Sequence, residues 1–281
     1  MAVRITIDIF SGRPNPVIEL DDREANRVVP RLKSAAAKDE RAPATLGFRG
    51  LIVETTSDGK VSRFLSLVPG RSAARAAVAT RRVNEFVAEE LITEERLGAD
   101  LAQLLRQEIV RAQEFPRPRA VGHSRRPVRS RPCPCGPLYE PAWWNDGGQR
   151  QFNNNCYNYA SNYRTDTFAQ PGRAAGAMYS ALTCASVLPA AQKDDLIADP
   201  QANNRCPREG HLVALVIWPG VDFHWYRKGR DGYWTHKPGG TPATNVDNSG
   251  AVITDPRMAN RGGYTDFCTF MVVMHGHIKI S

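Results

Sequence analysis

Apolar and polar residues alternate at the start of the chain. Val3, Ile5, Ile7 and Ile9 fall on one side, which predicts a strand with one buried face. Ser11-Gly12-Arg13-Pro14-Asn15-Pro16 breaks the alternation with turn residues, and Val17, Ile18 and Leu20 predict a returning strand, hence a hairpin. The period then lengthens. Asp21 is a capping type for a helix whose Ala25, Val28, Val29 and Leu32 share one face, with Pro30 expected to kink it. Two further strands are predicted near Leu46–Thr56 and Arg63–Val68, joined at Asp58-Gly59 by a hairpin signal. Helical stripes follow, first Val83, Phe86, Val87 and Leu91, then Leu97, Leu101, Leu104, Leu105 and Ile109. This order predicts a small α/β domain over residues 1–112, an open sheet with helices on one face. It contains no catalytic constellation, and a regulatory, targeting or partner-binding role is expected of it.

Periodicity lapses over 113–140, a Pro- and Arg-rich linker by composition. A second domain is expected over 141–281, opening at Pro141-Ala142-Trp143-Trp144. Cys156, Tyr159, Ala160 and Tyr163 recur at helical spacing behind Asn153-Asn154-Asn155, residues suited to a cap. The run from Gly210 to Trp218 reads as a buried strand, Pro219-Gly220 as a turn, and Phe223 to Arg227 as a second strand. Gly229 to Gly232 is a turn and Tyr233 to His236 a third strand. A helical insert is expected from Gln170 to Asp199, and a closing strand from Tyr264 to Val273, with Cys268 as a core thiol and with His275 and His277 as further strand residues. A Cys-bearing helix packed on an antiparallel sheet makes the fold class of the whole chain α+β.

Composition narrows the function. A length of 281 residues favours two domains, and 42% hydrophobic with 23% charged residues excludes wholesale disorder. No apolar run approaches the ~18 residues of a membrane helix, and the first residues hold no apolar signal-peptide core. A soluble, cytoplasmic protein is therefore expected, with delivery by a signal-independent route as the alternative and no membrane partner. The net charge of +8 is partly local, in Arg117, Arg119, Arg125, Arg126, Arg129 and Arg131. With no aromatics between them for stacking on bases, residues 117–131 read as a solvated linker rather than a nucleic-acid arm. The six cysteines belong to a chain long enough to build cores, so reduced thiols are expected. Cys133-Pro-Cys135 lacks the two-residue spacing of zinc knuckles, so no metal and no cofactor is expected.

Cys156 is placed on the first turn of a helix, where N–H groups and the dipole favour a thiolate. An upstream amide, Gln149, Gln151 or Asn153, would complete an oxyanion site. The alternative is a buried small hydrophobe. His224 and His236 lie symmetrically about the Gly229–Gly232 turn and are expected to face each other as base and orienter. A polar sheet edge, or a zinc site with a Cys, is the alternative. This arrangement resembles the NlpC-like branch of the papain-like cysteine peptidases, from about residue 145 to the C terminus. The resemblance implies Cys156 as nucleophile, His224 as base and His236 as orienter. The chain departs from that family in Asn155 before the cysteine, in Tyr157 after it, in bulky residues between His224 and Trp234, and in the long insert. These departures bear on the substrate more than on the fold. His211, at a Gly-His strand start, is the alternative base, placed second because no Asn-Ser-Trp-like segment follows. The loop from Thr244 to Gly250 is expected either as an ordinary Asx-turn loop or with Asp247 or Asn248 near the histidines. The expected function is a cysteine hydrolase, a peptidase or amidase. It would cleave a peptide or isopeptide-type amide bond of a peptide or protein substrate through a thioester. An acyl or amide transferase on the same site, and a non-catalytic binding or sensing protein of the same fold, are the alternatives. The oligomeric state is left open.

Overall fold

The computed structural model describes residues 2–36, 43–67, 83, 85–114 and 131–281. The chain forms two compact units: Met1–Ile9, Asn15–Pro43 and Gly47–Arg119 in the first, and Phe10–Pro14, Ala44–Leu46 and Ala120–Ser281 in the second. Both units carry an antiparallel sheet and helices, so the fold is α+β.

In the first unit β1 (Ala2–Asp8) lies between β2 (Val17–Leu20) and β3 (Gly50–Ser57), and β4 (Lys60–Ser66) closes the order β2-β1-β3-β4. Ser57 pairs with Lys60, leaving Asp58-Gly59 as a two-residue loop. Both loop residues have positive φ, 50° and 72°, the primed-turn geometry that the Asp-Gly pair favours. Helix α1 (Asp22–Ser34) starts in a full capping box between Asp21 and Glu24 and runs on through Pro30. It buries Ala25, Val28, Val29 and Leu32, the stripe read from the sequence. Residues 85–90 are helical (α2), and α3 (Glu94–Leu97) and α4 (Ala99–Glu114) follow, with Leu105 and Ile109 buried. Val68, the expected end of β4, lies outside the described residues. A buried ion pair, Arg49 Nη2 to Asp8 Oδ1 at 2.6 Å, ties the end of β1 to the start of β3.

In the second unit five strands take the order β5-β9-β6-β7-β8: β5 (Ile197–Ala198), β6 (His211–Trp218), β7 (Asp222–Lys228), β8 (Trp234–His236) and β9 (Asp266–Val273). Every residue of β6 and β7 is buried. The expected closing strand is therefore internal, since β9 pairs with both β5 and β6. Short helices α5 (Pro141–Trp144), α6 (Gln149–Phe152) and α7 (Cys156–Ala160) precede α8 (Cys184–Lys193), the one helix of the 170–199 segment. Residues 131–140, expected in the linker, pack within this unit: Cys133 N–H donates to the Arg230 carbonyl at 2.9 Å. His275 and His277 lie in a turn, not a strand. Arg131 is exposed, whereas Arg117, Arg119, Arg125, Arg126 and Arg129 lie outside the described residues.

The reduced-thiol expectation is overturned. Cys133 bonds to Cys206 and Cys184 to Cys268, leaving Cys135 exposed and Cys156 buried as free thiols. The paired cysteines are 73 and 84 residues apart, so neither bridge follows from local spacing. Among the described residues no helix is long and apolar enough to cross a membrane.

Candidate active site

Cys156 opens α7, as its spacing predicted, but the helix is only five residues long. Tyr163, placed on the same helix by sequence, lies beyond its end and is exposed. Asn155 is the cap: its Oδ1 accepts from the N–H groups of Tyr157 and Asn158 at 3.0 and 3.1 Å. The donors expected to stabilise a thiolate are therefore already satisfied. The Cys156 side chain is fully buried among Phe223, Trp225, Val213 and Leu215. Burial pushes its thiol well above the ordinary range and the Asp222 carboxylate adds to the rise. The Ser11 hydroxyl, the backbone N–H of Trp225 and the Lys237 ammonium offset this only in part. At rest the group is a neutral thiol, not the expected thiolate.

His224 on β7 and His236 on β8 do meet. The register pairs His236 with Tyr226, so the two histidines are diagonal neighbours on one face rather than directly opposite. An offset of two residues preserves the face, and the rings touch through His224 Nε2 and His236 Nδ1 at 2.9 Å. His224 Nδ1 lies 2.5 Å from Ser11 Oγ, and His236 Nε2 lies 3.0 Å from the Val246 carbonyl. Tyr226 stacks on the His236 ring and meets the His224 ring edge-on.

The carbonyl at the end of this line fixes its direction. Val246 O can only accept, so His236 Nε2 carries a proton and, in the neutral ring, Nδ1 is the acceptor. His224 Nε2 then donates to His236, which leaves His224 Nδ1 as an acceptor for the Ser11 hydroxyl. The Cys156 thiol itself donates to the Phe223 carbonyl at 4.0 Å, one residue before His224. The 244–250 loop contributes through the Val246 backbone. Asp247 accepts from Ser249, Ala251 and Asn260, and Asn248 bonds both backbone groups of Leu46.

Ser11 was read only as a turn residue. Its neighbours are held as closely. Asp222, buried at the head of β7, accepts from the N–H groups of Ser11 (2.6 Å), Gly12 (3.1 Å) and Arg13 (2.9 Å) and from the Tyr264 hydroxyl. Burial raises the Asp222 carboxyl, and these donors work against the rise. The Gly12 carbonyl accepts from Asn155 Nδ2 at 2.7 Å and Gln170 Nε2 at 2.8 Å. Of the amides proposed from sequence, Gln149 and Asn153 are exposed, and Gln151 bonds Gly147 and Gly240. The amides that converge on a carbonyl beside Cys156 are Asn155 and Gln170. Asn155 carried the signal of a good cap; Gln170 carried none.

Lys237 is fully buried. Its Nζ donates to the carbonyls of Gln151 and Asn154 at 2.5 Å and of Gly239 at 2.6 Å, which fixes the chain just before Cys156. His211, the alternative base, sits at the other end of β6 and donates from Nε2 to the Ala160 carbonyl at 2.7 Å, at the end of α7. Burial lowers its pKa to about 3. Among the described residues no group of three His, Cys, Asp or Glu side chains is arranged to hold a metal.

Fold and site together define an α+β protein with a cystine-stapled second unit around a directed Ser–His–His hydrogen-bond line. No protein-family model matches the chain and no solved structure matches it. Insoluble matrix shell protein 1 of Ruditapes philippinarum is 47% identical over 142 residues, which make up 50% of this chain and 91% of that protein. The chain belongs to the family of that shell protein.

Proposed function

We propose that the second unit is a latent cysteine hydrolase of the NlpC-like type, with Cys156 as nucleophile, His224 as base and His236 as orienter. The observation that carries this reading is the hydrogen-bond direction imposed by the Val246 carbonyl, which leaves the acceptor nitrogen of His224 facing the Ser11 hydroxyl. In the reaction the Cys156 proton passes to His224 Nδ1 and sulfur bonds to the carbonyl carbon of a peptide or isopeptide-type amide. His236 holds the imidazolium through Nε2–H of His224. The amine leaves with the proton from His224, and water, or an amine in a transferase, resolves the thioester. The raised thiol describes the closed resting state. A peptide or protein is the substrate.

The test is labelling of the full chain with a peptidyl acyloxymethyl ketone, followed by intact mass. One adduct mapped to Cys156 is expected, forming about a hundredfold more slowly in His224→Ala. Equal rates in the two proteins would remove the enzyme reading.

A second reading rests on the relative and the two disulfides. Bridges of this kind persist in oxidising compartments, and the relative is named as a shell matrix protein. On this reading the chain is secreted rather than cytoplasmic, and the second unit is a matrix domain in which the Ser–His–His line only holds the core. Detection of the chain outside the cells that make it tests the location. The labelling experiment tests the role.

A further inference from the structure

The segment Ser11–Gly12–Arg13 has its backbone hydrogen bonds met in the way a bound peptide's would be. The Ser11 N–H goes to Asp222, and the Ser11 carbonyl accepts from Gly239 N–H at 3.1 Å. The Gly12 N–H goes to Asp222, and the Gly12 carbonyl takes the two amide donors of Asn155 and Gln170. Arg13 N–H returns to Asp222, and its guanidinium donates to the Val221 carbonyl at 3.1 Å. The Ser11 hydroxyl lies on His224. The partners are themselves built: Asn155, Asp222 and His224 are fully buried and Gln170 is 4% exposed. Gln170 is also oriented, because its Oε1 accepts from the Tyr179 hydroxyl at 2.8 Å. There is no room for a side chain at position 12. A Cβ there would overlap the Phe223 ring, and that ring is fully buried and packed edge-on against Tyr179 at 5.5 Å.

Main-chain matching combined with exclusion of a side chain is how a site reads glycine within a peptide. We propose that Ser11–Gly12–Arg13 is an internal ligand seated in the peptide subsite of the Cys156 centre. The segment that replaces it in trans is a peptide with glycine at the place of Gly12. The role of that peptide as substrate rests on the hydrolase reading; its binding does not. The Gly12 carbonyl then marks where a substrate carbonyl is polarised, by Asn155 Nδ2 and Gln170 Nε2. The Ser11 hydroxyl occupies Nδ1 of His224, the nitrogen that must be cleared before it can take the thiol proton.

The experiment uses the full chain carrying Gly12→Val, with Asp222→Asn as a second variant that weakens the hold on three N–H groups without adding bulk. Alkylation of Cys156 by iodoacetamide is followed by mass mapping, beside Leu105→Ala as a control for general destabilisation. In either folded variant Cys156 is expected to label about a hundredfold faster than in the unaltered chain. In the Gly12→Val protein, whose subsite is intact, the synthetic peptide Ile-Phe-Ser-Gly-Arg-Pro-Asn-Pro, residues 9–16, is expected to restore protection saturably. The same peptide with valine for glycine is not. Labelling in both variants no faster than in Leu105→Ala would make the segment ordinary core and overturn the proposal. So would equal protection by the two peptides. Protection by the glycine peptide with neither cleavage nor a His224 effect on labelling would leave the internal ligand standing and remove the hydrolase. Cleavage of both peptides alike would do the reverse.

Discussion

The Lys237 ammonium has lost its water and gained three carbonyls, those of Gln151, Asn154 and Gly239. Gln151 lies on α6 and Asn154 directly precedes the Asn155 cap of α7, so the lysine ties the two helices together. Replacing the lysine by methionine keeps the stem and strips three buried acceptors of their donor, at about 1–3 kcal/mol for each left unsatisfied, less what relaxation and relief of the buried charge return. Lys237→Met is expected to lower unfolding stability by about 2–4 kcal/mol in urea titration and to speed hydrogen exchange over residues 151–156. His211 gives a signed pH effect. Its folded pKa lies near 3 against an ordinary 6.5, because burial disfavours the charged ring. Above 6.5 neither state binds the proton and the contribution is whole. As pH falls from 6.5 towards 3 the unfolded chain gains a proton that the folded chain refuses, and stability drops by about 1 kcal/mol per pH unit. His211→Gln keeps a donor for the Ala160 carbonyl and removes the titration. Its stability is expected to fall less steeply over that window, and parallel acid limbs in the two proteins would count against the assignment.

Elements with a local cause were legible in the sequence. Asp21 and Glu24 close a capping box within four residues, Asp58-Gly59 needs only its own φ values, and the stripe of α1 follows from periodicity, as do Leu105 and Ile109 on α4, whereas Leu97 of the expected stripe lies on α3. The histidine pair was legible for the same reason, since one hairpin carries both rings and an error of two in register left their face unchanged. Features with a distant cause were not. Ser11 and Gly12 read as turn residues because their partners, Asp222 and His224, lie more than 200 residues away. The disulfide from Cys184 to Cys268 is of the same kind. It joins the first residue of α8 to the middle of β9. Closing a loop of 84 residues restricts the unfolded chain, a stabilisation of about 3–5 kcal/mol. The double variant Cys184→Ala, Cys268→Ala is expected to lose that much in guanidinium unfolding, with the loss carried by the second unit. A change below about 1 kcal/mol would mean that the bridge closes nothing the core does not already hold.

At the scale of the whole molecule the cysteines connect site, stability and location. Six thiols would suit a reducing cytosol, yet four are paired, and one of the remaining two is sealed in the core beside Ser11. Bridges of this kind persist in oxidising compartments, the location that the second functional reading proposes. The same pairing narrows the proposed nucleophile to Cys135 or Cys156, the two free thiols among the described residues. A thiol titration in three stages reads all of this at once. In native buffer one thiol, Cys135, is expected to react with an aromatic disulfide reagent. In denaturant without reductant a second, Cys156, is expected to appear, and after reduction the remaining four. Six reactive thiols in denaturant alone would return the protein to a reducing compartment and remove the bridges from its stability. Two fast thiols in native buffer would place Cys156 in the open, and the closed resting state would fall with it.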